Sequence, residues 1–138
     1  MSSILFDTNI ILDVALNREP FVSEARNLFK LIDKDIITAY ITATTVTDIY
    51  YIAKKRKGHK ESIDFIKDLI GVVDILGVDK TIIIDALYAD LKDFEDSVQS
   101  AAAMLHNVDT ILTRNKDDFV KSQVTVMTPS AFLSRRKH

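Results

Sequence analysis

The stretch Ile4-Leu5-Phe6-Asp7-Thr8-Asn9, followed at once by the apolar run Ile10-Ile11-Leu12, decides the fold of this chain. Three apolar residues in a row, stopped by an acid, predict a short strand that is buried on both faces. Asp7 then stands at the carboxyl end of that strand. Because ligands of open α/β sheets bind just beyond the carboxyl ends of the strands, Asp7 is the first candidate for a functional side chain.

Helix capping is a simpler explanation for Asp7. Asp and Asn side chains accept hydrogen bonds from the free N–H groups at the start of a helix, and both Asp7 and Asn9 lie where a helix is expected to begin. Capping acids are commoner than catalytic ones, so this stretch alone favours the cap. The functional interpretation depends on further acids at equivalent places in the chain.

Length and composition restrict the class of protein. The chain has 138 residues, 47% of them hydrophobic, which predicts a single domain over residues 1–138. It has no cysteine, which suits a reducing cytoplasm. No apolar run approaches the ~18 residues that span a bilayer, so a soluble cytoplasmic protein is expected. With a net charge of −2, any nucleic acid has to bind at local basic patches or through cations.

Apolar periodicities predict strands that alternate with helices along the chain. Strands are expected at residues 4–6, 36–41, 72–76, 108–113 and 124–127, and helices at 9–17, 20–34, a segment ending at 57, 59–70, 80–87, a segment reaching 105, and 128–133. Pro20 suits a first helical turn, and Gly58 ends the third helix. The expected fold is α/β, with a mostly parallel sheet of about five strands and helices on both faces.

Acidic residues cluster at the start of a later helix, in Asp93-Phe94-Glu95-Asp96. Charge matching to the positive end of the helix dipole explains Asp93 and Glu95 without any function. Asp96 is the better functional candidate, because it lies next to the apolar face of the helix. Polar side chains follow the next strand as well, in the stretch Arg114–Phe119.

Four adjacent positive charges, Lys54, Lys55, Arg56 and Lys57, end the third helix. Basic residues in a last helical turn favour the negative end of the helix dipole, so an ordinary helix end explains part of this cluster. Four charges exceed what that end needs, and contact with nucleic-acid phosphates is the alternative. A second basic cluster, Arg135-Arg136-Lys137-His138, is expected to be mobile.

Four motifs follow one another along the chain. They are Phe-Asp-Thr-Asn at residues 6–9, Thr-Thr-Val-Thr-Asp-Ile at 44–49, Asp-Phe-Glu-Asp at 93–96 and Thr-Arg-Asn-Lys-Asp-Asp-Phe at 113–119. Together with the closing Met-Thr-Pro-Ser-Ala-Phe-Leu, they resemble the PIN domain family of PilT N-terminus-like nucleases, which includes the VapC-type toxins of bacterial toxin–antitoxin pairs. The resemblance implies a three-layer α/β/α fold, an acid cluster that binds Mg²⁺ or Mn²⁺, and metal-dependent cleavage of RNA.

The resemblance also implies roles for individual residues. Asp7, Asp48 and Asp96 match the catalytic, metal-binding acids. At the position of Asp48 the family usually has Glu, whose side chain is longer than that of Asp by one methylene. Asn115 falls where many members have Asp and others have Asn, so the resemblance implies a fourth ligand that is either weakened or supplied nearby by Asp118. Residues expected to hold these carboxylates are Thr8, Asn9 and Thr113. Residues expected to contact RNA are Lys54, Lys55, Arg56, Lys57 and Arg114.

Three functional interpretations remain. The first is a metal-dependent ribonuclease that cleaves single-stranded RNA as a homodimeric toxin with a cognate antitoxin, because phosphodiester hydrolysis uses the hard cations that carboxylates bind. The second is a PIN-like domain, weakened at Asp48 and Asn115, that binds RNA or a protein. The third is a signalling receiver, which needs a later lysine that Thr113-Arg114-Asn115 does not supply. The three histidines lie outside the acidic stretches and receive no catalytic role.

Overall fold

The computed structural model describes residues 2–89, 91–119 and 122–136, so the end of the second basic cluster lies outside the described residues. Its elements, in chain order, are β1 (Ser2–Phe6), α1 (Thr8–Ala15), α2 (Val22–Asp33), β2 (Ile37–Thr42), α3 (Ala43–Leu69), β3 (Asp74–Leu76), α4 (Lys80–Tyr88), α5 (Phe94–Leu105), β4 (Thr110–Leu112), β5 (Thr125–Met127) and α6 (Pro129–Arg136). A short 3₁₀ helix, Lys116–Phe119, precedes β5. No described helix combines the length and the apolar character needed to cross a membrane.

The five strands form one sheet in the order β3-β2-β1-β4-β5. β1 lies at the centre, because it pairs with β2 on one side and with β4 on the other. Every pair is parallel, so consecutive strands are joined by crossovers rather than by hairpins. The structure confirms the predicted α/β fold with a parallel sheet of five strands.

Side chains of β1 alternate between the two faces of the sheet. Ile4 and Phe6 pack with residues of α1, α2, α3 and α6, whereas Leu5 packs with residues of α4 and α5. All three side chains are at most 1% exposed, which explains why the sequence of this strand is an uninterrupted apolar run. Helices therefore cover both faces, and the fold has three layers.

The limits of two helices can be compared with the prediction, and one limit was wrong while the other is confirmed. The second helix begins at Val22, and Pro20 lies in the turn before it, so the prediction that Pro20 occupies the first turn was wrong. α3 is assigned as one long helix, but Gly58 has φ 81° and ψ 176°, which breaks it into two. The predicted end of the third helix at Gly58 is thus confirmed, because this backbone conformation is open to glycine almost alone.

The parallel pairing brings the carboxyl ends of several strands to one edge of the sheet. Phe6, the last residue of β1, pairs with Leu112, the last residue of β4. Asp7 and Thr113 follow these two strands directly, so they lie side by side. β2 ends at Thr42 on the other side of β1, and α3 starts from there. Residues distant in sequence therefore meet at this edge.

Candidate active site

Asp7 is buried at this edge, and its two carboxylate oxygens accept hydrogen bonds from different elements. Thr113 Oγ1 donates to Asp7 Oδ2 at 2.8 Å. Gln99 Nε2, on α5, donates to Asp7 Oδ1 at 3.1 Å. Asp7 occupies the N-cap position of α1, but its side chain makes no capping hydrogen bond. Capping therefore does not explain Asp7, whose carboxylate is oriented by groups far along the chain.

The charge of Asp7 is compensated mainly by neutral donors. Burial raises the pKa of the Asp7 carboxyl, while the hydrogen bonds from Thr113 and Gln99 lower it. Within the part of the chain that the structure describes, no lysine, arginine or histidine forms an ion pair with Asp7. The charge of Arg114 also lowers this pKa, but a buried carboxylate without a direct ion pair is costly, and a bound cation is one way to offset that cost.

Asp7 lines a pocket of about 320 Å³ that collects acids from four segments of the chain. The polar lining consists of Asp7, Thr8, Asn9, Asp48, Asp93, Glu95, Asp96, Asn115 and Asp118, and the apolar lining of Leu12 and Ile52. All five residues that the sequence analysis proposed as metal ligands are among them. The fold thus brings together side chains that stand up to about a hundred residues apart in the sequence.

Glu95 belongs to this pocket through contacts with Asp48 and Thr8. Thr8 Oγ1 donates to Glu95 Oε1 at 2.9 Å, and the Asp48 carboxyl is a second hydrogen-bond partner of Glu95. Two carboxyl groups bond to each other only when one of them holds a proton. Burial, together with the adjacent Asp48, raises the pKa of Glu95 to about 7. Matching to the helix dipole fits the position of Glu95 in the first turn of α5 but does not account for these contacts, so our interpretation of Glu95 from the sequence was incomplete.

Asp93 fits the simpler interpretation. Its Oδ1 accepts a hydrogen bond from the backbone N–H of Glu95 at 2.8 Å, as the N-cap residue of α5. Asp96 differs, because it is half-buried among other acids. Burial raises the pKa of Asp96 to about 7, and the negative charge of Asp7 is the next largest cause. Carboxylates crowded in this way repel one another, and a cation bound between them relieves the repulsion.

Buried threonine hydroxyls connect the end of β1 with the start of α3. Thr8 Oγ1 lies 2.9 Å from Thr45 Oγ1, which lies 3.2 Å from Thr42 Oγ1. Because a hydroxyl has one proton, Thr8 donates it to Glu95 and accepts from Thr45. Thr8 was expected to hold a carboxylate, and its hydroxyl lies against Glu95. The same contacts fix the first turn of α3, and Asp48 lies in the next turn of this helix.

The other residues of the predicted site have less direct contacts. Asn9 lines the pocket, but its Oδ1 accepts a hydrogen bond from Arg18 at 3.4 Å instead of supporting Asp7. Asn115 is exposed, and its backbone N–H donates to Thr113 Oγ1 at 3.1 Å. The N–H of Asp118 donates to the carbonyl of Asn115 at 2.9 Å, which begins the 3₁₀ helix and directs Asp118 towards the pocket.

Arg114 is engaged inside the protein. Its Nε and Nη2 donate to the two carboxylate oxygens of Asp13 at 2.9 and 3.2 Å, and its guanidinium lies 3.8 Å from the centre of the Phe21 ring. The Asp13 side chain is 2% exposed, so this pair ties α1 to the segment after β4. These contacts occupy the guanidinium inside the protein, and the expectation that Arg114 contacts RNA stays a prediction. Asp13 was missed, although an acid inside the apolar run of α1 is a sign of a buried pair.

The oxygen-rich lining of the pocket suits a small, hard cation. Within residues 2–89, 91–119 and 122–136, no three or more acidic or histidine side chains form a cage that could hold a metal ion. Mg²⁺ does not need such a cage, because it keeps several waters and is usually held by one or two carboxylates. The side chains present are therefore of the kind that binds a hard divalent cation through few protein ligands.

Comparison with known proteins agrees with this fold. The toxin–antitoxin complex from Klebsiella pneumoniae has 25% sequence identity and a TM-score of 0.69, covering 92% of this chain and 98% of that one. DNA-bound VapBC from Salmonella typhimurium has 16% identity and a TM-score of 0.72, covering 94% and 99%. VapC20 of Mycobacterium tuberculosis, a sarcin–ricin loop cleaving toxin, has 14% identity and a TM-score of 0.64, covering 79% and 87%. Comparison with curated protein sequences gives no match.

The family is defined by the sequence itself. The family model described as "PIN domain" matches residues 3–117, which is most of the chain. The protein belongs to the PIN domain family, and its structural neighbours include VapC-type toxin proteins. The resemblance that the four motifs indicate is therefore confirmed.

Proposed function

We propose that this protein is a metal-dependent endoribonuclease that cleaves single-stranded RNA, and that it acts as the toxin of a toxin–antitoxin pair. The observation that carries the proposal is the orientation of Asp7. Gln99 and Thr113 donate to its two oxygens, in a pocket that also contains Asp48, Glu95 and Asp96. An acid held in this way by two neutral donors is suited to binding a cation beside a phosphodiester.

The pocket residues divide the work of such a site. One or two pocket carboxylates, together with waters, would hold Mg²⁺ or Mn²⁺, and the candidates are Asp7, Asp96 and the Asp48–Glu95 pair. The ion, when bound, supplies an activated water and offsets the charge that develops on the phosphate. Thr113 and Gln99 fix the direction of the Asp7 oxygens. Asn115 and Asp118 reach the pocket wall from the segment after β4.

The test is cleavage of a labelled single-stranded RNA by purified protein with Mg²⁺, with Mn²⁺ and with chelator. Asp7→Asn and Asp96→Asn should each reduce the metal-dependent rate by about 100-fold or more, because a carboxamide is an uncharged and poorer ligand. Asp33→Asn, at an exposed acid of α2 outside the pocket, is the matched control and should cleave like the wild type. Undiminished cleavage by both pocket variants would rule out this site.

A second candidate function is favoured by two residues, namely the short side chain of Asp48 and the uncharged, exposed Asn115. On this alternative the domain binds RNA or a protein without cutting RNA. It predicts that wild-type protein cleaves with neither metal, whereas Asp48→Glu combined with Asn115→Asp does. The contact between Glu95 and Asp48 supports the nuclease instead, since Glu95 adds a carboxylate where Asp48 reaches less far.

Partners and location belong to the same proposal. The neighbouring structures from Klebsiella pneumoniae and Salmonella typhimurium are complexes of toxin with antitoxin, which supports a cognate antitoxin for this chain. We propose that the protein acts in the cytoplasm as a homodimer. Expression of the wild type in a bacterial host should halt growth, whereas expression of Asp7→Asn should not. Sedimentation of the purified protein should give the mass of two chains.

A further inference from the structure

We propose that the exposed ring of Tyr51 is a stacking site for one base of single-stranded RNA, next to the acid pocket. This inference rests on the proposed function and adds to it the means by which the substrate is held. Tyr51 is 63% exposed on α3, whose residues Asp48 and Ile52 line the pocket. A large aromatic ring that is exposed to solvent beside such a pocket is better placed to bind a partner than to pack in the core.

Helical spacing places Tyr51 on the same side of α3 as the pocket wall. Residues three and four apart on a helix are neighbours. Tyr51 is three residues after Asp48, and Lys55 is four residues after Tyr51 and three after Ile52. The four side chains thus form one continuous strip, which runs from the acids through the aromatic ring to a positive charge. A strand of RNA with a phosphate in the pocket would pass over this strip.

The ring of Tyr51 is supported from behind. Tyr50 contacts it edge to face, with ring centres 5.1 Å apart and an interplanar angle of 77°. The hydroxyl of Tyr50 is in turn bound to Nδ1 of His59 at 2.7 Å, and the His59 ring lies 5.6 Å from the Tyr50 ring. A supported ring loses little conformational entropy on binding, which favours stacking.

This support depends on the break at Gly58. In a straight helix, residues nine apart are separated by about 13.5 Å along the axis, so Tyr50 and His59 could not meet. Gly58, with φ 81° and ψ 176°, turns the chain and returns His59 to Tyr50. The glycine therefore shapes the surface beside the pocket, in addition to ending the first part of α3.

Charge favours RNA over a protein partner as the occupant. Lys54, Lys55, Arg56 and Lys57 are all exposed, and none of them forms an ion pair with another described residue. Lys54 Nζ lies 5.7 Å from the centre of the Tyr50 ring, so cation and aromatic group are interleaved. Nucleic-acid grooves for single strands combine the same two features, namely positive charge along the backbone and aromatic rings that stack on bases.

The experiment measures binding by fluorescence anisotropy in chelator, where the RNA is not cleaved. The probes are a labelled oligouridine and an abasic oligonucleotide with the same number of phosphates. Tyr51→Ala should weaken the binding of oligouridine about tenfold and leave the abasic strand unchanged, since a stacking residue contacts bases only. Tyr51→Phe should bind like the wild type. Tyr88→Ala removes a tyrosine that is 84% exposed on α4 and is the matched control, with no expected change.

Lys55 provides a second test, in which the binding of both probes should change and not only that of oligouridine. Lys55→Gln should weaken both strands equally and lower the slope of log Kd against log salt by about 0.7, because each phosphate contact on a single strand releases that many counterions. Lys67→Gln, in the last turn of the same helix, is its control. The proposal would be overturned if Tyr51→Ala bound oligouridine as tightly as the wild type does.

Failure of this inference and failure of the nuclease proposal are distinguishable. If the wild type cleaves RNA but Tyr51→Ala binds oligouridine unchanged, the stacking site is wrong and the nuclease stands. If no metal supports cleavage but Tyr51→Ala still loses base-dependent affinity, the nuclease is wrong and the stacking site stands. If Tyr51→Ala alters the sedimentation mass but not RNA binding, this surface contacts protein and the proposal is overturned.

Discussion

Thr113 is the residue whose hydroxyl most directly orients the Asp7 carboxylate. Thr113→Val keeps the shape of the side chain and removes the 2.8 Å hydrogen bond. We expect the RNA cleavage rate to fall about 10- to 100-fold, as is usual when a group behind a metal ligand is lost. The free energy of unfolding should fall by only about 1 kcal/mol, the net value of one hydrogen bond.

The control for Thr113→Val is Thr125→Val on β5, where the threonine is exposed and outside the pocket. Both cleavage rate and urea midpoint should stay at the wild-type values. A Thr113→Val protein that cleaves at the wild-type rate would show that the orientation of Asp7 does not limit the reaction.

Among single residues, the acids that carry a family motif were easier to predict from the sequence than the groups that contact them. Asp7 could be singled out because it stands at the end of a strand, and Asp96 because it lies next to the apolar face of its helix. Gln99 could not, since its donor reaches Asp7 only when α5 packs on the sheet, 92 residues away. The sole signal was a polar residue in the middle of an apolar helical face. Glu95 was missed because dipole matching explained it equally well.

Gly58 decides the course of α3 at the scale of the element. Its backbone angles belong to a region that is essentially closed to other residues, so Gly58→Ala should lower the free energy of unfolding by about 1–3 kcal/mol. A Cβ at this position meets no atom within 4 Å, so the cost is backbone strain alone. Urea unfolding measures it.

Gly77→Ala is the matched control for Gly58→Ala. A Cβ at Gly77 also has no neighbour within 4 Å, and this glycine does not have a positive φ. Its effect should stay within about 0.5 kcal/mol. Equal effects of the two substitutions would mean that the helix can pass through residue 58 without a break.

Arg114 and Asp13 join two elements, α1 and the segment after β4. Arg114→Met leaves the buried Asp13 carboxylate with Arg18 alone, at 3.8 Å, and should destabilise the fold by about 3 kcal/mol. Asp13→Leu combined with Arg114→Met removes both charges and should recover most of that loss. A double variant as unstable as Arg114→Met would show that packing, and not the unpaired charge, is responsible.

At the scale of the whole molecule, the acid pocket should make stability depend on pH. The pKa values of Glu95 and Asp96, both about 7 in the fold, exceed those of about 4 in an unfolded chain. The native state therefore binds protons more tightly than the unfolded state. The contribution of these groups to the free energy of unfolding is greatest below about pH 4 and is lost as the pH rises through about 7.

We expect the metal-free protein to have a higher urea midpoint at pH 5.5 than at pH 8. Asp96→Asn removes one of the crowded charges, so it should raise the midpoint at pH 8 and reduce the difference between the two pH values. Asp33→Asn should do neither. Mg²⁺ at about 100 times its Kd should add about 2.7 kcal/mol to the wild type at pH 8 and less to Asp96→Asn. A midpoint that is insensitive to both metal and pH would argue against a metal site.

The fold as a whole could be predicted more fully than the site. Apolar runs and helical periodicities are local properties, and they indicated the five strands and the alternation that requires a parallel sheet. The strand order could not be read in the same way, because β1 pairs with β4 through contacts between residues 4–6 and 110–112. The pairing of Arg114 with Asp13 could not be predicted for the same reason, since the two residues are 101 positions apart.

The central position of β1 has a consequence for the protein while it is being made. Asp7 leaves the ribosome well before the hydroxyl and the amide that orient it, which come 106 and 92 residues later. At about 5–20 residues per second, the first acid waits several seconds or more for these partners. A nascent chain that stops before β4 therefore cannot assemble the pocket, and translation itself delays any activity until nearly the whole domain has been synthesised.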